Sequence, residues 1–154
     1  MKTFNDIISS CLQHVNEVFP WDINEKVFSS SPPIIVDVRE PGEFNAMHIA
    51  GSINVPRGIL ESACEYDYEE TIPELVQARD KEIILVCRSG NRSALAAHTL
   101  QIMGYQDVKS LKTGLRGWND YELALEDTNH TVVNVDDAEV YFTPRLTPNQ
   151  MRPK

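Results

Sequence analysis

Ile83-Ile84-Leu85-Val86 is the strongest strand signal in the chain, and it is apolar at every position. A half-exposed strand alternates apolar with polar residues, so an unbroken apolar run needs cover on both faces. Ile34-Ile35-Val36-Asp37-Val38 reads the same way, after the loop Ser29-Ser30-Ser31-Pro32-Pro33. Ser52-Ile53-Asn54-Val55 is a weaker strand ended by Pro56, and Val108-Lys109-Ser110-Leu111 is another. Helical stretches fall between them. Pro41-Gly42-Glu43-Phe44 begins a short helix or turn, and residues 59–79 read as helix in two pieces broken at Pro73. A longer helix runs from about Arg92 to Met103, with Leu95, Thr99, Leu100 and Ile102 inward and Gly104 as its stop. Leu115 to Leu123 is helical again. This alternation predicts an α/β fold, a central, mostly parallel sheet with helices on both faces.

The two ends depart from that pattern. Phe4, Ile7, Ile8, Cys11, Leu12, Val15, Val18 and Phe19 share one helical stripe, which predicts a single helix over 4–19 closed by Pro20. Cys11 is then a small core residue. Thr131–Val135 and Glu139–Phe142 suggest a small hairpin around Asp136-Asp137, and the Pro-rich end after Thr143 reads as partly flexible. The expected organisation is an N-terminal helix and linker over 1–30 packed on the domain, a domain over 31–121 and a C-terminal extension over 122–154.

At 154 residues one domain is expected, large enough for a real core. Three cysteines (Cys11, Cys64, Cys87) do not make a disulfide scaffold. No apolar stretch approaches the roughly 20 residues of a membrane span, and Asp6 falls where a signal peptide needs an apolar core. A reducing, cytoplasmic setting is expected. The net charge of −9 disfavours nucleic acid and anionic membranes as partners. Twelve of the acids lie in residues 61–74 and 122–139, stretches with no Lys or Arg, and read as solvated faces.

Against that acidic background, Cys87-Arg88-Ser89-Gly90-Asn91-Arg92-Ser93 stands out. It follows a strand at its carboxyl end, where parallel α/β sheets bind ligands, and it runs into a helix. Ser89, Gly90 and Asn91 let the backbone curl so that successive N–H groups point at one atom. The helix start adds its positive dipole end, and Arg88 and Arg92 add full charges. Together these favour a thiolate at Cys87 inside an anion-binding cradle. An inert core cysteine ahead of an ordinary strand-to-helix loop is the plain alternative, and the composition of the cradle argues against it.

The loop, with Ala94, Ala96-Ala97, Leu100 and Gly104-Tyr105 behind it, resembles the active-site loop of rhodanese-type sulfurtransferases. Two further blocks share the resemblance: Ile35–Glu40 with Glu43-Phe44 and His48–Pro56, then Leu111–Gly114 with Trp118. Leu115 stands where a second glycine is common in the family. The resemblance covers about residues 31–121 and implies a three-layer rhodanese-like fold. It implies that Cys87 accepts a sulfane sulfur from thiosulfate or a persulfide and passes it to a thiophilic acceptor such as cyanide, a thiol or a protein cysteine. In this reading Arg88, Ser89, Gly90, Asn91, Arg92 and Ser93 bind the sulfur anion, the arginines holding the donor. Asp37, Arg39 and His48 fall at matching positions as supports that fix the strand ends near the site. No metal or organic cofactor is implied, and His14, His48, His98 and His130 are scattered. Cys64, among acids, reads as a surface or half-buried thiol with a disfavoured thiolate, or else a resolving cysteine.

Two other function classes share the fold. A cysteine phosphatase or arsenate reductase uses the same kind of cradle, but with the arginine six positions after the cysteine. Here Arg92 is at +5, giving a tighter nest suited to one sulfur. A non-catalytic, regulatory binding module has no need of Cys87 and both arginines.

Overall fold

The computed structural model describes residues 1–154. Five parallel strands form one sheet: β1 Asn16–Val18, β2 Ile34–Asp37, β3 Ile53–Asn54, β4 Glu82–Val86 and β5 Asp107–Leu111, in the order β1-β5-β4-β2-β3. The helices are α1 Phe4–Leu12, α2 Pro20–Val27, α3 Pro41–Ala46, α4 Leu60–Ala63, α5 Pro73–Val76, α6 Asn91–Ile102, α7 Gly114–Asp120 and α8 Val135–Phe142. The α/β expectation holds, with helices on both sheet faces.

Strand periodicity explains the layering. Ile83 and Leu85 of β4 point to one side with Val36 and Val108, where they meet Leu60, Ala63, Leu75, Ala96, Ala97 and Leu100. Ile84 and Val86 point to the other side with Ile35, against Ile23, Leu115, Trp118, Ala138 and Phe142. The apolar run of β4 is apolar because each of its faces closes a separate core.

Three local expectations are corrected. The helix over 4–19 is cut at Leu12. A capping box between Thr3 and Asp6 starts α1, and Ile8 and Cys11 are buried, but Phe4 and Ile7 are exposed. Residues 16–18 become β1, paired with Lys109–Leu111, and Pro20 opens α2 instead of closing α1, because its missing N–H costs nothing in the first turn. The hairpin over 131–142 is instead α8. Asn134 caps it by accepting from the amides of Asp136 and Asp137, whose carboxylates suit the positive helix end. Within α6 the buried face is Ser93, Ala94, Ala96, Ala97 and Leu100, while Ile102 is 75% exposed. Small residues let α6 lie close on the sheet, which puts the larger side chains at the rim.

The sheet order places the site. The chain steps from β2 outward to β3, returns to β4 and then goes the opposite way to β5. The crevice at the carboxyl ends of β2 and β4 is therefore the switch point of the sheet, and Asp37 and Cys87 stand at its two sides.

Candidate functional site

Cys87 directly follows β4 and continues its alternation, so its side chain falls on the same face as Ile83 and Leu85. The thiol is 1% exposed. The amide of Gly90 donates to Sγ at 3.1 Å and that of Ser93 at 3.3 Å. Gly90 lies at φ +99, and a Cβ there would meet the Leu111 carbonyl at 3.3 Å, so glycine is required to turn these amides inward.

A hydroxyl pair completes the cradle. The Cys87 thiol donates to Ser93 Oγ at 3.4 Å, and Ser93 Oγ lies 2.8 Å from Ser110 Oγ on β5, both serines fully buried. Hydroxyl protons rotate freely. With a thiol at Cys87, Ser93 accepts; with a thiolate, Ser93 turns to donate to sulfur while Ser110 supports it. The site thus serves both protonation states without an unpaired polar group.

The loop is braced from behind by α7. Leu115 N donates to the Cys87 carbonyl at 2.9 Å and Arg116 N to the Arg88 carbonyl at 3.0 Å. This approach is so close that a Cβ on Gly114 would sit 2.4 Å from the Arg88 carbonyl carbon and oxygen and 2.5 Å from the Cys87 oxygen.

Neither arginine of the loop stands free. Arg92 is clamped bidentately by Glu43, Nη1 to Oε2 and Nη2 to Oε1, each 2.9 Å. Hydrogen bonding from Arg92 holds the Glu43 carboxyl below its usual range, and the pairing raises Arg92. Arg88 donates through Nη2 to the Phe142 carbonyl at the end of α8, at 2.6 Å. Ser89 and Asn91 face the opposite side, in a groove shared with Glu17, Lys112 and Thr113.

Asp37 and Arg39 form a fully buried ion pair at 2.8 Å, and Arg39 also donates to the Met47 carbonyl at 2.7 Å. Asn54 closes this turn by donating to the carbonyls of Asp37 and Arg39. His48 stacks on Phe44 and pairs through Nδ1 with the Phe44 carbonyl at 2.8 Å, while its backbone bridges Glu126. None of these three contacts Cys87 through a hydrogen bond.

Cys64 is corrected: it is 1% exposed, and burial first, then Glu61 nearby, pushes its thiol up. A resolving role does not fit. Ser110, Glu43 and the Phe142 carbonyl were not singled out by the sequence. Ser110 gave little signal of its own, because β5 also carries Asp107 and Lys109.

The strand-loop-helix cradle, the glycine-dependent brace and the blocks around it fall inside one family match. Residues 22–121 match the rhodanese-like domain. The chain belongs to the rhodanese-like domain family. This rhodanese-like chain is 35% identical over 103 residues to the adenylyltransferase and sulfurtransferase UBA4 of Candida albicans, covering 67% of its own length and 23% of the relative's. It is 34% identical over 94 residues to the putative sulfur carrier protein YrkF of Bacillus subtilis, covering 61% and 45%. It therefore spans less than half the length of both. With the thiosulfate sulfurtransferase GlpE of Tolumonas auensis it shares 30% identity over 86 residues, 54% of this chain and 70% of that one. Among solved structures, a Rhodopseudomonas palustris protein of unknown function, described as a possible tyrosine phosphatase, superposes with TM-score 0.73 at 27% identity, over 82% of this chain and 96% of that one. A thiosulfate sulfurtransferase from Pseudomonas aeruginosa shares the fold at TM-score 0.66 and 20% identity, over 90% and 26%. No helix of the rhodanese-like chain is long and apolar enough to cross a membrane.

Proposed function

We propose that this rhodanese-like domain transfers sulfane sulfur through a persulfide on Cys87. The observation that carries the reading is the convergence of the Gly90 and Ser93 amides on Sγ, at 3.1 and 3.3 Å. Amides aimed at sulfur favour a thiolate and then the persulfide anion that replaces it. The sulfurtransferase-named relatives support the same reading.

In the first half-reaction the Cys87 thiolate attacks the outer sulfur of the donor. For thiosulfate a new S–S bond forms at Cys87, the donor's S–S bond breaks, and sulfite leaves with the electron pair. In the second, an acceptor nucleophile attacks the outer sulfur and Cys87 departs as thiolate. The transferred atom stands about 2.05 Å beyond Sγ, which carries the reactive sulfur outward from a thiol that is itself buried. Arg92, locked by Glu43, acts as a fixed positive charge beside the sulfur, while Arg88 is anchored on the Phe142 carbonyl. Asp37, Arg39 and His48 hold the neighbouring strand ends in place.

Phosphoryl transfer is the competing chemistry, suggested by the Rhodopseudomonas palustris neighbour. A nest of six residues from Cys87 to Arg92 suits one sulfur atom better than the three equatorial oxygens of a phosphoryl group. Intact-mass measurement after incubation with thiosulfate tests the proposal. The wild-type chain gains one sulfur, and Cys87→Ser gains none while remaining folded. Sulfur carried equally well by Cys87→Ser, or turnover of an aryl phosphate faster than sulfur transfer, overturns it.

A further inference from the structure

Cys87 and Arg88 are neighbours in the chain, yet their side chains serve opposite faces of the sheet. Cys87 lies in the core of Ile83, Leu85 and Leu60. The Arg88 guanidinium instead reaches α8, whose Phe142 packs in the other core with Ile84 and Val86. Successive residues along an extended chain alternate in this way. Arg88 is therefore turned away from the sulfur that it follows. The cleft that it lines with Asp137, Val140, Tyr141, Thr143 and Arg145 includes no part of Cys87. Asp137 in that cleft also offsets the charge that Arg88 would present to an incoming anion.

What Arg88 does hold is the loop. Its Nη2 donates to the Phe142 carbonyl at 2.6 Å, and its own carbonyl accepts from Arg116 N of α7 at 3.0 Å. Phe142 is the last residue of α8, where a helix leaves carbonyls without intrahelical partners and carries its negative end. A guanidinium answers both needs. The anchor is firm, because the Phe142 side chain is fully buried. The two helices that grip Arg88 are also tied to each other, Asn119 Nδ2 of α7 donating to the Val135 carbonyl of α8 at 3.0 Å. Arg88 is thus fixed at side chain and main chain, one residue after the nucleophile and two before Gly90, whose amide donates to Sγ.

We propose that Arg88 is a positioning residue for sulfur transfer: a strut between the Cys87 loop and α8 that keeps the Gly90 and Ser93 amides on Sγ, with no part in holding the donor. The proposal rests on the sulfur-transfer reading of Cys87, and it removes one of the two arginines expected to meet the substrate. The helix that receives the strut lies beyond residues 22–121, so the geometry of the cradle depends on a part of the chain outside the family match. A small displacement of catalytic groups costs a large factor in rate, which is why a strut remote from the substrate is felt at the sulfur.

Two donors of one chemistry and different charge separate the roles. Thiosulfate is a dianion and methanethiosulfonate a monoanion. With each, the Cys87 thiolate bonds to the outer sulfur, the donor's S–S bond breaks, and sulfite or methanesulfinate leaves with the electron pair. In Arg88→Ala the limiting rate of persulfide formation falls about tenfold or more, the loss expected for one charge-assisted hydrogen bond. The factor is the same for both donors, and KM stays at its wild-type value. A rise in KM for thiosulfate alone, or a loss much larger for the dianion, makes Arg88 a donor ligand and overturns the proposal, as do unchanged kinetics. Nuclear magnetic resonance reads the strut without any sulfur transfer: in Arg88→Ala the Gly90 and Ser93 amide resonances shift and their hydrogen exchange quickens. Amides that stay as in the wild-type chain overturn the proposal. Combined with Phe142→Ala, which loosens the anchor, Arg88→Ala adds little further loss of rate; two losses that multiply as independent factors refute the strut. Where Phe142→Ala does not fold, the donor comparison and the amide spectra decide. Should thiosulfate leave no sulfur on wild-type Cys87 while the two amides still move in Arg88→Ala, the sulfur-transfer reading fails and the strut stands.

Discussion

Single residues at the loop carry sharply different burdens. Gly114 permits α7 to cap the carbonyls of Cys87 and Arg88, and any side chain there drives into backbone. Gly114→Ala is expected to cost about 1–3 kcal/mol, lowering Tm by roughly 2–4 °C per kcal/mol for a chain of this size, and to slow persulfide formation by displacing the cradle. Gly42, with open space around it and ordinary backbone, is the control: Gly42→Ala leaves both unchanged. Thermal melts and intact-mass kinetics on the two variants make the comparison. Glu43 offers a pH test. Its carboxyl is held below its usual value, so the Arg92 clamp stabilises the fold above about pH 4.5 and is lost as acid protonates Glu43 below its lowered folded value. Glu43→Gln therefore melts below wild type near neutral pH, and the two converge on acidification. A constant gap across the titration shows that the clamp contributes nothing through charge. Cys87 and its loop were legible in the sequence because thiol, glycine and arginine at these spacings have few other uses. Glu43 as the partner of Arg92, and Phe142 as that of Arg88, were not, since pairs 49 and 54 residues apart are set by how the layers close.

At the scale of elements, the long apolar strands and α6 could be read directly, because burial on both faces and helical spacing leave strong patterns. The errors share one cause, a local signal with two meanings. Pro20 stops one helix or starts another, and only the pairing of residues 16–18 with β5 decides for the start. Asp136-Asp137 serves a tight turn or a first helical turn, and Asn134 accepting from both amides decides for the helix. The apolar stripe over residues 4–19 was real in composition, but its second half supplies β1 and the strand's approach to α2. In α6 the larger apolar residues looked like the buried face, whereas close contact with the sheet selects alanine and serine.

For the whole molecule, the segment after residue 121 is integral to the second core: Leu125, Ala138 and Phe142 are buried alongside Ile84, Val86 and Trp118. Phe142 is fully buried, so Phe142→Ala is expected to cost about 3–5 kcal/mol and to lower the midpoint of one cooperative transition. If α8 folded independently, circular dichroism would show an early minor melt and an unmoved main one. The sheet's margins carry a separate consequence. One margin is the three residues of β1 and the other the two of β3, closed by Pro56. Such stubs offer almost no free ladder of amides and carbonyls, so the molecule is guarded against edge-to-edge self-assembly. The same shortness denies a protein partner the route of adding its own strand. Any macromolecule that exchanges sulfur with Cys87 must make its purchase on loops and helix ends at the carboxyl rim, and its grip will be built from side chains.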